Sequence, residues 1–266
     1  SASTASNIMV TMDDGSSQSL DTARLQTVIS EACEGLEDVT GDAIYNETLK
    51  NLYSGVNIND VRVSLVMTAR TLVEEEPNYS YVAARLLLDS LRSEALTFLD
   101  IAENATQSEM HNRYAAVLKP YPEKGAELEL LSPELLEFDL SRLGEALLAE
   151  RDEQFTYLGL QTLYDRYFIQ SEGTRFELPQ IFFMRVAMGL AINEEDREGK
   201  AIEFYNLISS FDYMTSTPQL FNAGTLRPQL SSCFLTTVPD DLSGIYGAIH
   251  DNAMLSKWAG GLGNDW

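Results

Sequence analysis

The stretch TSTPQLFNAGTLRPQLSSCFL, residues 215–235, contains the change of pattern that decides the fold. Prolines and a glycine interrupt residues 215–229, which predicts a loop. The run LSSCFLTTV that follows, residues 230–238, is rich in β-branched and aromatic side chains, which is typical of a strand. PDDL then predicts the capped beginning of a helix over about 241–257, which ends in the glycine-rich AGGLGNDW. Cys233, one of two cysteines in the chain, therefore lies on a predicted strand.

The N-terminal part of the chain predicts a small hairpin followed by helices. Residues 1–7 are rich in Ser, Thr and Ala and predict a flexible lead-in. IMVT (8–11) predicts a strand, and after the turn DDGSSQ the return strand is predicted to start at residues 19–20. Asp21 can cap a first helix, because the apolar residues after it fall on one helical face. Three further helices are predicted over 42–53, after Asn59 and from Pro77.

The middle of the chain is mostly helical in pattern. SEGT (171–174) predicts a tight turn between two short extended pieces, and ELPQIFFMRVAMGLA (177–191) predicts an apolar core helix. The patterns together divide the chain into four predicted parts: 1–7, a flexible lead-in; 8–98, the hairpin and its helices; 99–214, a helical domain; and 215–266, a domain that contains the strand.

The composition excludes several classes of function. Lys and Arg total 18 against 41 Asp and Glu, a formal net charge of −23, so the surface repels phosphates and we expect no nucleic-acid binding. We expect no membrane span either, since no apolar run approaches the roughly 20 residues that one needs. The N-terminal residues lack the basic and apolar regions of a secretory signal. A reducing cytoplasm fits two cysteines that are too distant in sequence to predict a disulfide framework.

Two further features have structural interpretations. His111 and His250 lie in helical segments, without Cys or acidic ligands at metal-site spacing, so we predict no metal site. Cys33 lies on the apolar face of the first helix, and we predict that it is a core residue because free cysteine is among the most buried residue types.

The N-terminal residues resemble a nucleotide-binding module. Behind the predicted hairpin, NLYSG (51–55), DVRVSLVMTARTLV (60–73) and PNYSYVAARLLL (77–88) are similar to the third and fourth helices of the ATP-cone of ribonucleotide reductases. In that family a basic pair before Asp-Gly in the hairpin turn holds a triphosphate. Here Met12 and Asp13 stand at those positions.

An acidic turn predicts a weak nucleotide site, because a carboxylate repels a triphosphate that Lys, Arg or a helix N-terminus would bind. Arg24 and Arg62 are the remaining candidate phosphate contacts. Two interpretations stay open. Either the cone binds ATP or dATP weakly through these arginines, or it is a degenerate cone kept for packing or assembly, which the acidic turn favours.

The rest of the chain resembles the large catalytic subunit of the same family. The matching segments, in order, are FTYLGLQTLYDRYFI (155–169), ELPQIFFMRVAMGLA (177–191), STP (216–218), FNAGTLRPQLSSC (221–233), PDDLSGIY (239–246) and AIHDNAMLSKWAGGLGND (248–265). The chain is thus similar to the N-terminal part of class I ribonucleoside-diphosphate reductase large (alpha) subunits. The resemblance implies a predominantly helical α+β fold. Its expected parts are an ATP-cone of a β-hairpin plus four helices, a helical domain, and the first strands of a ten-stranded α/β barrel.

The resemblance assigns a redox role to Cys233. Replacing the 2′-hydroxyl of a ribonucleotide by hydrogen requires two electrons, and two thiols that become a disulfide supply them. Cys233 would be the thiol that faces the 2′ carbon, and its partner cysteine would lie on a barrel strand outside this chain. The substrate contacts implied by the resemblance are Thr217, Ser232 and Gly261. Gly260 and Gly263 are further glycines at which the backbone would come close to the nucleotide.

An effector site is implied after the strand. Asp240, Asp241 and Leu242 match the position where the family binds its allosteric deoxynucleotide, and a carboxylate there can accept a hydrogen bond from the ribose 3′-hydroxyl. A helix N-cap is an equally compatible role for either aspartate.

The resemblance also implies what acts with the chain. No covalently bound cofactor is expected. The effectors would be ATP and deoxynucleoside triphosphates, and a separate small (beta) subunit would hold the metal-radical cofactor. The other expected partners are the C-terminal remainder of the large subunit, thioredoxin or glutaredoxin as reductant, and a second copy of the chain.

We expect the chain alone to be inactive, because it ends after one or two barrel strands and would leave strand 230–238 without a pairing partner. A truncation, a split gene and a self-splicing precursor all stay open as explanations. The alternative function is that of a regulatory or assembly module without catalysis of its own.

Overall fold

The computed structural model describes residues 8–227, 229–257 and 260–265. The helices and strands, in chain order, are β1 Met9–Thr11, β2 Ser17–Ser19, α1 Thr22–Cys33, α2 Gly41–Asn51, β3 Val56–Asn57, α3 Ile58–Thr71, α4 Tyr79–Phe98, α5 Gln107–Val117, α6 Pro120–Glu127, α7 Leu140–Glu145, α8 Tyr157–Thr162, β4 Gln170–Ser171, β5 Thr174–Arg175, α9 Pro179–Ala191, α10 Arg197–Ser209, α11 Thr217–Asn222, β6 Cys233–Thr237, α12 Leu242–Lys257 and β7 Gly261–Asp265. The predominantly helical α+β class is confirmed. Within the described ranges, we find no helix whose length and hydropathy would suit a membrane span.

The chain divides into two compact units. The first comprises residues up to Val117 together with Leu148–Leu178, and the second comprises Leu118–Leu147 and the residues from Pro179 onward. The first unit is therefore discontinuous in sequence, because the chain leaves it after α5 and returns before α8.

The first unit begins with a small sheet in the order β2-β1-β3. β1 is antiparallel to β2 and parallel to β3, with Val10 opposite Val56. The sequence predicted a two-stranded hairpin, whereas the sheet has three strands. The third strand, β3, was missed because it is only two residues long and shows no alternation of polar and apolar residues. The return strand also begins earlier than predicted, at Ser17.

Four helices bury one face each beneath this sheet, as predicted. The Asp21 side chain caps α1 by accepting a hydrogen bond from the backbone N–H of Arg24 at 3.0 Å. The third helix begins slightly earlier than predicted, at Ile58, and the Asn57 side chain caps it by accepting a hydrogen bond from the Asn59 backbone N–H at 3.0 Å. The shared core is aliphatic, and its fully buried members include Ile29, Ile44, Leu65, Ala69 and Val82.

A buried polar cluster ties α4 to the segment that returns to the first unit. Arg92 on α4 is 3% exposed, and Asp152, in a 3₁₀ turn over Ala149–Gln154, is fully buried. Arg92 Nη2 lies 3.4 Å from Asp152 Oδ2, and the Tyr114 hydroxyl donates a hydrogen bond to the same oxygen at 2.5 Å. Arg92 also donates to the side chain of Gln107. A charge at this depth is tolerated because it is paired and hydrogen-bonded.

The second unit is built around α9, whose apolar sequence is buried as predicted. Gly189 on α9 lets the chain approach so closely that a Cβ atom there would lie 2.1 Å from the Gly224 nitrogen. Arg185 on the same helix is fully buried and donates to the carbonyls of Leu220 and Ala223 at 2.9 and 3.0 Å. The predicted loop over 215–229 was therefore partly wrong. It contains α11, whose C-terminal carbonyl groups are held by this arginine.

The end of the described chain is a β-α-β unit. β6 and β7 pair in parallel over five residues each, and α12 connects them. The expectation that strand 230–238 has no pairing partner was wrong. The glycine-rich segment that was expected only to end a helix supplies that partner, because Gly261–Asp265 continues as a strand. Leu242 is the first residue of α12, and the Asp241 side chain accepts a hydrogen bond from Gly244 N–H at 2.9 Å, which confirms the predicted cap.

Candidate redox and nucleotide sites

Cys233 is exposed at the first position of β6. It lies opposite Gly261 in the parallel register, so the two residues that begin these strands are neighbours. The preceding residue completes the group, since the Ser232 carbonyl accepts a hydrogen bond from the Gly261 N–H. The structure therefore brings together three of the residues singled out from the sequence.

Gly261 leaves the thiol uncovered. A Cβ atom at this position would lie 3.4 Å from the Cys233 sulfur and 3.1 Å from the Ser232 carbonyl oxygen. Any side chain there would extend beside the sulfur and crowd whatever approaches it. Glycine at position 261 therefore allows another molecule to come close to the Cys233 sulfur, because glycine has no Cβ.

The face of the strand pair that carries Cys233 is open. Cys233, Leu235 and Thr237 alternate along one face of β6 and are all exposed, with Leu235 at 91%. Phe234 and Thr236 point to the other face and are partly covered. The thiol is therefore accessible from this face, and the Leu235 side chain exposes apolar surface next to it.

The other candidates for the substrate and effector sites lie nearby in sequence. Thr217 is exposed at the first residue of α11. Asp240, Asp241 and Leu242 are exposed between β6 and α12, and Asp241 is engaged in capping the helix. Asp240 presents its carboxylate to solvent beside that cap. The roles implied for these four residues stay predictions.

A second candidate site lies in the first unit, where the sheet meets α1, α3 and α4. A cavity of about 210 Å³ has an apolar wall that includes Val10, Leu25 and Val61. Its polar end holds the two arginines singled out from the sequence, Arg24 and Arg62.

Both arginines face a carboxylate that the sequence reasoning missed. Asp89 on α4 is 4% exposed. Its Oδ1 lies 2.6 Å from Arg24 Nη2, its Oδ2 lies 3.4 Å from Arg24 Nη1, and Arg62 Nε is 3.9 Å from Oδ2. The sequence does contain an indication of this residue. Asp89 lies among the leucines of RLLLDSL (85–91), and a carboxylate in such a run is buried only when it is paired.

The hairpin turn beside this cavity is negatively charged. The nearby Ser16 side chain, together with the Ser16 backbone N–H that donates to Asp14 Oδ1 at 2.8 Å, holds the pKa of Asp14 below the ordinary value, so this carboxylate stays ionised. Met12 lines the cavity where the resemblance would place a cation. The turn therefore adds no positive charge to the site.

Cys33 packs against the core of the first unit, but it is only partly buried. It is half-buried on the edge of a groove between α1 and α2, next to Tyr45 and Gly41. Partial burial raises the pKa of its thiol. Within the ranges that the structure describes, no group of three or more His, Cys, Asp or Glu side chains is arranged to hold a metal ion.

Known protein families match the chain in three successive segments. Residues 8–94 match the ATP cone domain, residues 153–228 match the all-alpha domain of ribonucleotide reductase, and residues 231–266 match the ribonucleotide reductase barrel domain. The chain thus matches an ATP cone domain and two ribonucleotide reductase domains in this order, and the resemblance inferred from the sequence is confirmed.

Individual relatives match nearly the whole chain. It is 47% identical over 262 residues to the ribonucleoside-diphosphate reductase subunit alpha of Chlamydia trachomatis, covering 97% of this chain and 24% of the relative. The subunit alpha of Helicobacter pylori is 34% identical over 261 residues, covering 97% and 32%. The large subunit of Danio rerio is 34% identical over 256 residues, covering 94% and 31%. The chain therefore spans about a quarter to a third of the length of the curated relatives that it matches.

Proposed function

We propose that this chain is a portion of a class I ribonucleoside-diphosphate reductase large subunit and that Cys233 is one of its two reducing thiols. The observation that carries the proposal is the exposed Cys233 sulfur beside Gly261, on a strand that matches the reductase barrel domain. A thiol that exchanges electrons must be reachable, which Cys233 is and Cys33 is only partly.

The proposed step balances with a second thiol from the remainder of the large subunit. The two thiols lose two electrons and two protons and form a disulfide. The ribose 2′ carbon loses its hydroxyl as water and gains hydrogen. Cys233 would protonate the departing hydroxyl, and radical chemistry supplied by a small subunit would initiate the reaction. Thioredoxin or glutaredoxin would then reduce the disulfide, and the proposed location of the protein is accordingly a reducing cytoplasm.

Small groups would hold the substrate in this proposal. Thr217 and Ser232 would contact it through hydroxyl and backbone groups, and Gly261 would let it approach the strand. Hydroxyls and backbone N–H groups suit a diphosphate here because they bind an anion without a lysine or arginine. Deoxynucleoside triphosphates would act at the exposed residues Asp240, Asp241 and Leu242 as allosteric effectors.

The proposed assembly includes a second copy of the chain. α12 presents an exposed apolar stripe, Leu242, Tyr246 and Ile249, at a spacing that falls on one helical face. A stripe of this kind supports association with another helix.

The test is reconstitution. The chain would be combined with the remainder of a large subunit and with a small subunit, and reduction of a ribonucleoside diphosphate would be measured. We expect Cys233→Ser to abolish turnover with a thiol reductant and Cys33→Ser to retain it. Full turnover by the Cys233→Ser protein would overturn the redox assignment.

A further inference from the structure

The cone of this chain contains an anion of its own. Arg24 meets Asp89 through both of its terminal nitrogens, one at 2.6 Å and the other at 3.4 Å. This is the fork-to-fork geometry by which an arginine binds a carboxylate or a phosphate from a ligand. Arg62 adds a third, longer contact to the same carboxylate at 3.9 Å.

The placement of Asp89 makes the contact hard to displace. Asp89 is almost completely buried on α4, whereas the side chain of Arg24 is about a quarter exposed. A phosphate that took Arg24 would leave the buried Asp89 carboxylate with the longer 3.9 Å contact to Arg62, and it would add a second negative charge beside it. A buried charge that loses its close partner is strongly unfavourable, and a like charge next to it adds to the cost.

The charges that line the cavity also disfavour an anionic ligand. Its lining contains two cations, Arg24 and Arg62, and three carboxylates, Asp21, Asp89 and Glu103. The cavity is therefore net negative although both arginines are present. With a volume of about 210 Å³ the cavity has room for part of a ligand, and its net negative charge disfavours an anionic part.

We infer that Asp89 is an internal substitute for a phosphate group and that it keeps this cone closed to anionic nucleotides. The residue determines specificity by occupying the arginine fork. Removing its charge should open the cavity to phosphate-bearing ligands. The inference concerns the cone alone and is independent of the redox chemistry proposed above.

The experiment compares variants of the whole chain by isothermal titration calorimetry. ATP and inorganic tripolyphosphate are the two probes, one with a base and one without. We expect Asp89→Asn to bind both about 10- to 100-fold more tightly than the wild type, which is the range of one charge-assisted hydrogen bond. Asp60→Asn is the matched control, because Asp60 is exposed in the first turn of α3 and lies outside the cavity lining. It should give no gain.

A further variant identifies the binding groups. Adding Arg24→Gln to Asp89→Asn should remove the gain, and circular dichroism would establish that both proteins are folded. A folded Asp89→Asn protein without increased affinity would refute the inference, and so would a gain that survives Arg24→Gln.

The wild-type chain provides a test that does not depend on the folding of any Asp89 variant. If the wild type binds ATP and Arg24→Gln alone abolishes this binding, then the arginine is available in the native cone and the inference is wrong. Unchanged behaviour of the Arg24→Gln protein supports it.

Discussion

Replacing Asp152 by alanine should destabilise the first unit strongly. The substitution leaves Arg92, which is 3% exposed, without its buried counter-charge and leaves the Tyr114 hydroxyl without its 2.5 Å acceptor. Breaking a buried ion pair by removing one partner costs about 3–5 kcal/mol. Arg92 keeps one acceptor, the side chain of Gln107, so we expect the lower end, about 3 kcal/mol. This corresponds to a fall in Tm of about 6–12 °C for a unit of about 150 residues or more.

The measurement is thermal unfolding followed by circular dichroism, with urea unfolding as a second probe. Glu150→Ala is the matched control, since Glu150 is exposed in the same segment and only forms a long contact, 3.9 Å, with exposed His111. It should change stability by less than about 1 kcal/mol. Asp152→Asn should fall between the two, because an amide oxygen still accepts from Tyr114. An Asp152→Ala protein that unfolds within about 2 °C of the wild type would show that the buried pair contributes little.

Three further substitutions or titrations test other parts of the structure. Gly189→Ala would place a methyl group 2.1 Å from a neighbouring backbone nitrogen and should cost about 3 kcal/mol in urea unfolding, whereas Gly247→Ala, with open space around its Cβ, should not. Burial, and then a hydrogen bond to Glu94, raises the pKa of Tyr164 to about 12 from 10.0, so one tyrosinate should appear late in an ultraviolet titration and vanish in Tyr164→Phe. The stability linked to this proton should be complete below pH 10 and be lost as the pH rises through about 12. Iodoacetamide should modify Cys233 faster than Cys33 at pH 8, as read by peptide mass spectrometry, and equal rates would contradict the exposed placement of the first thiol.

Local features of the fold could be predicted from the sequence. The cap at Asp21, the buried helix α9 and the cap at Asp241 each depend on residues within one or two turns, so their patterns are complete in a short stretch. The same holds for the strand that begins at Cys233.

Features that depend on distant residues could not be predicted from patterns alone. β3 is a strand only because Val56 pairs with Val10, and β7 only because Gly261 pairs with Cys233. A segment that is glycine-rich or only two residues long has no alternation of polar and apolar residues from which such pairing could be predicted. The ion pair between Arg24 and Asp89 likewise joins residues on different helices, and its effect on the cone follows from burial rather than from residue type.

The discontinuity of the first unit limits how its cone can be excised or transferred to another protein. The segment Leu148–Leu178 supplies the counter-charge for Arg92, an acceptor for the Arg85 guanidinium at the Glu153 carbonyl, and the ring that stacks on Phe98 at 5.0 Å. A cone excised at the end of α4, or exchanged as a cassette between related proteins, would lose all three. Transplanting it intact requires moving two stretches of chain that are separated by a piece of the other unit.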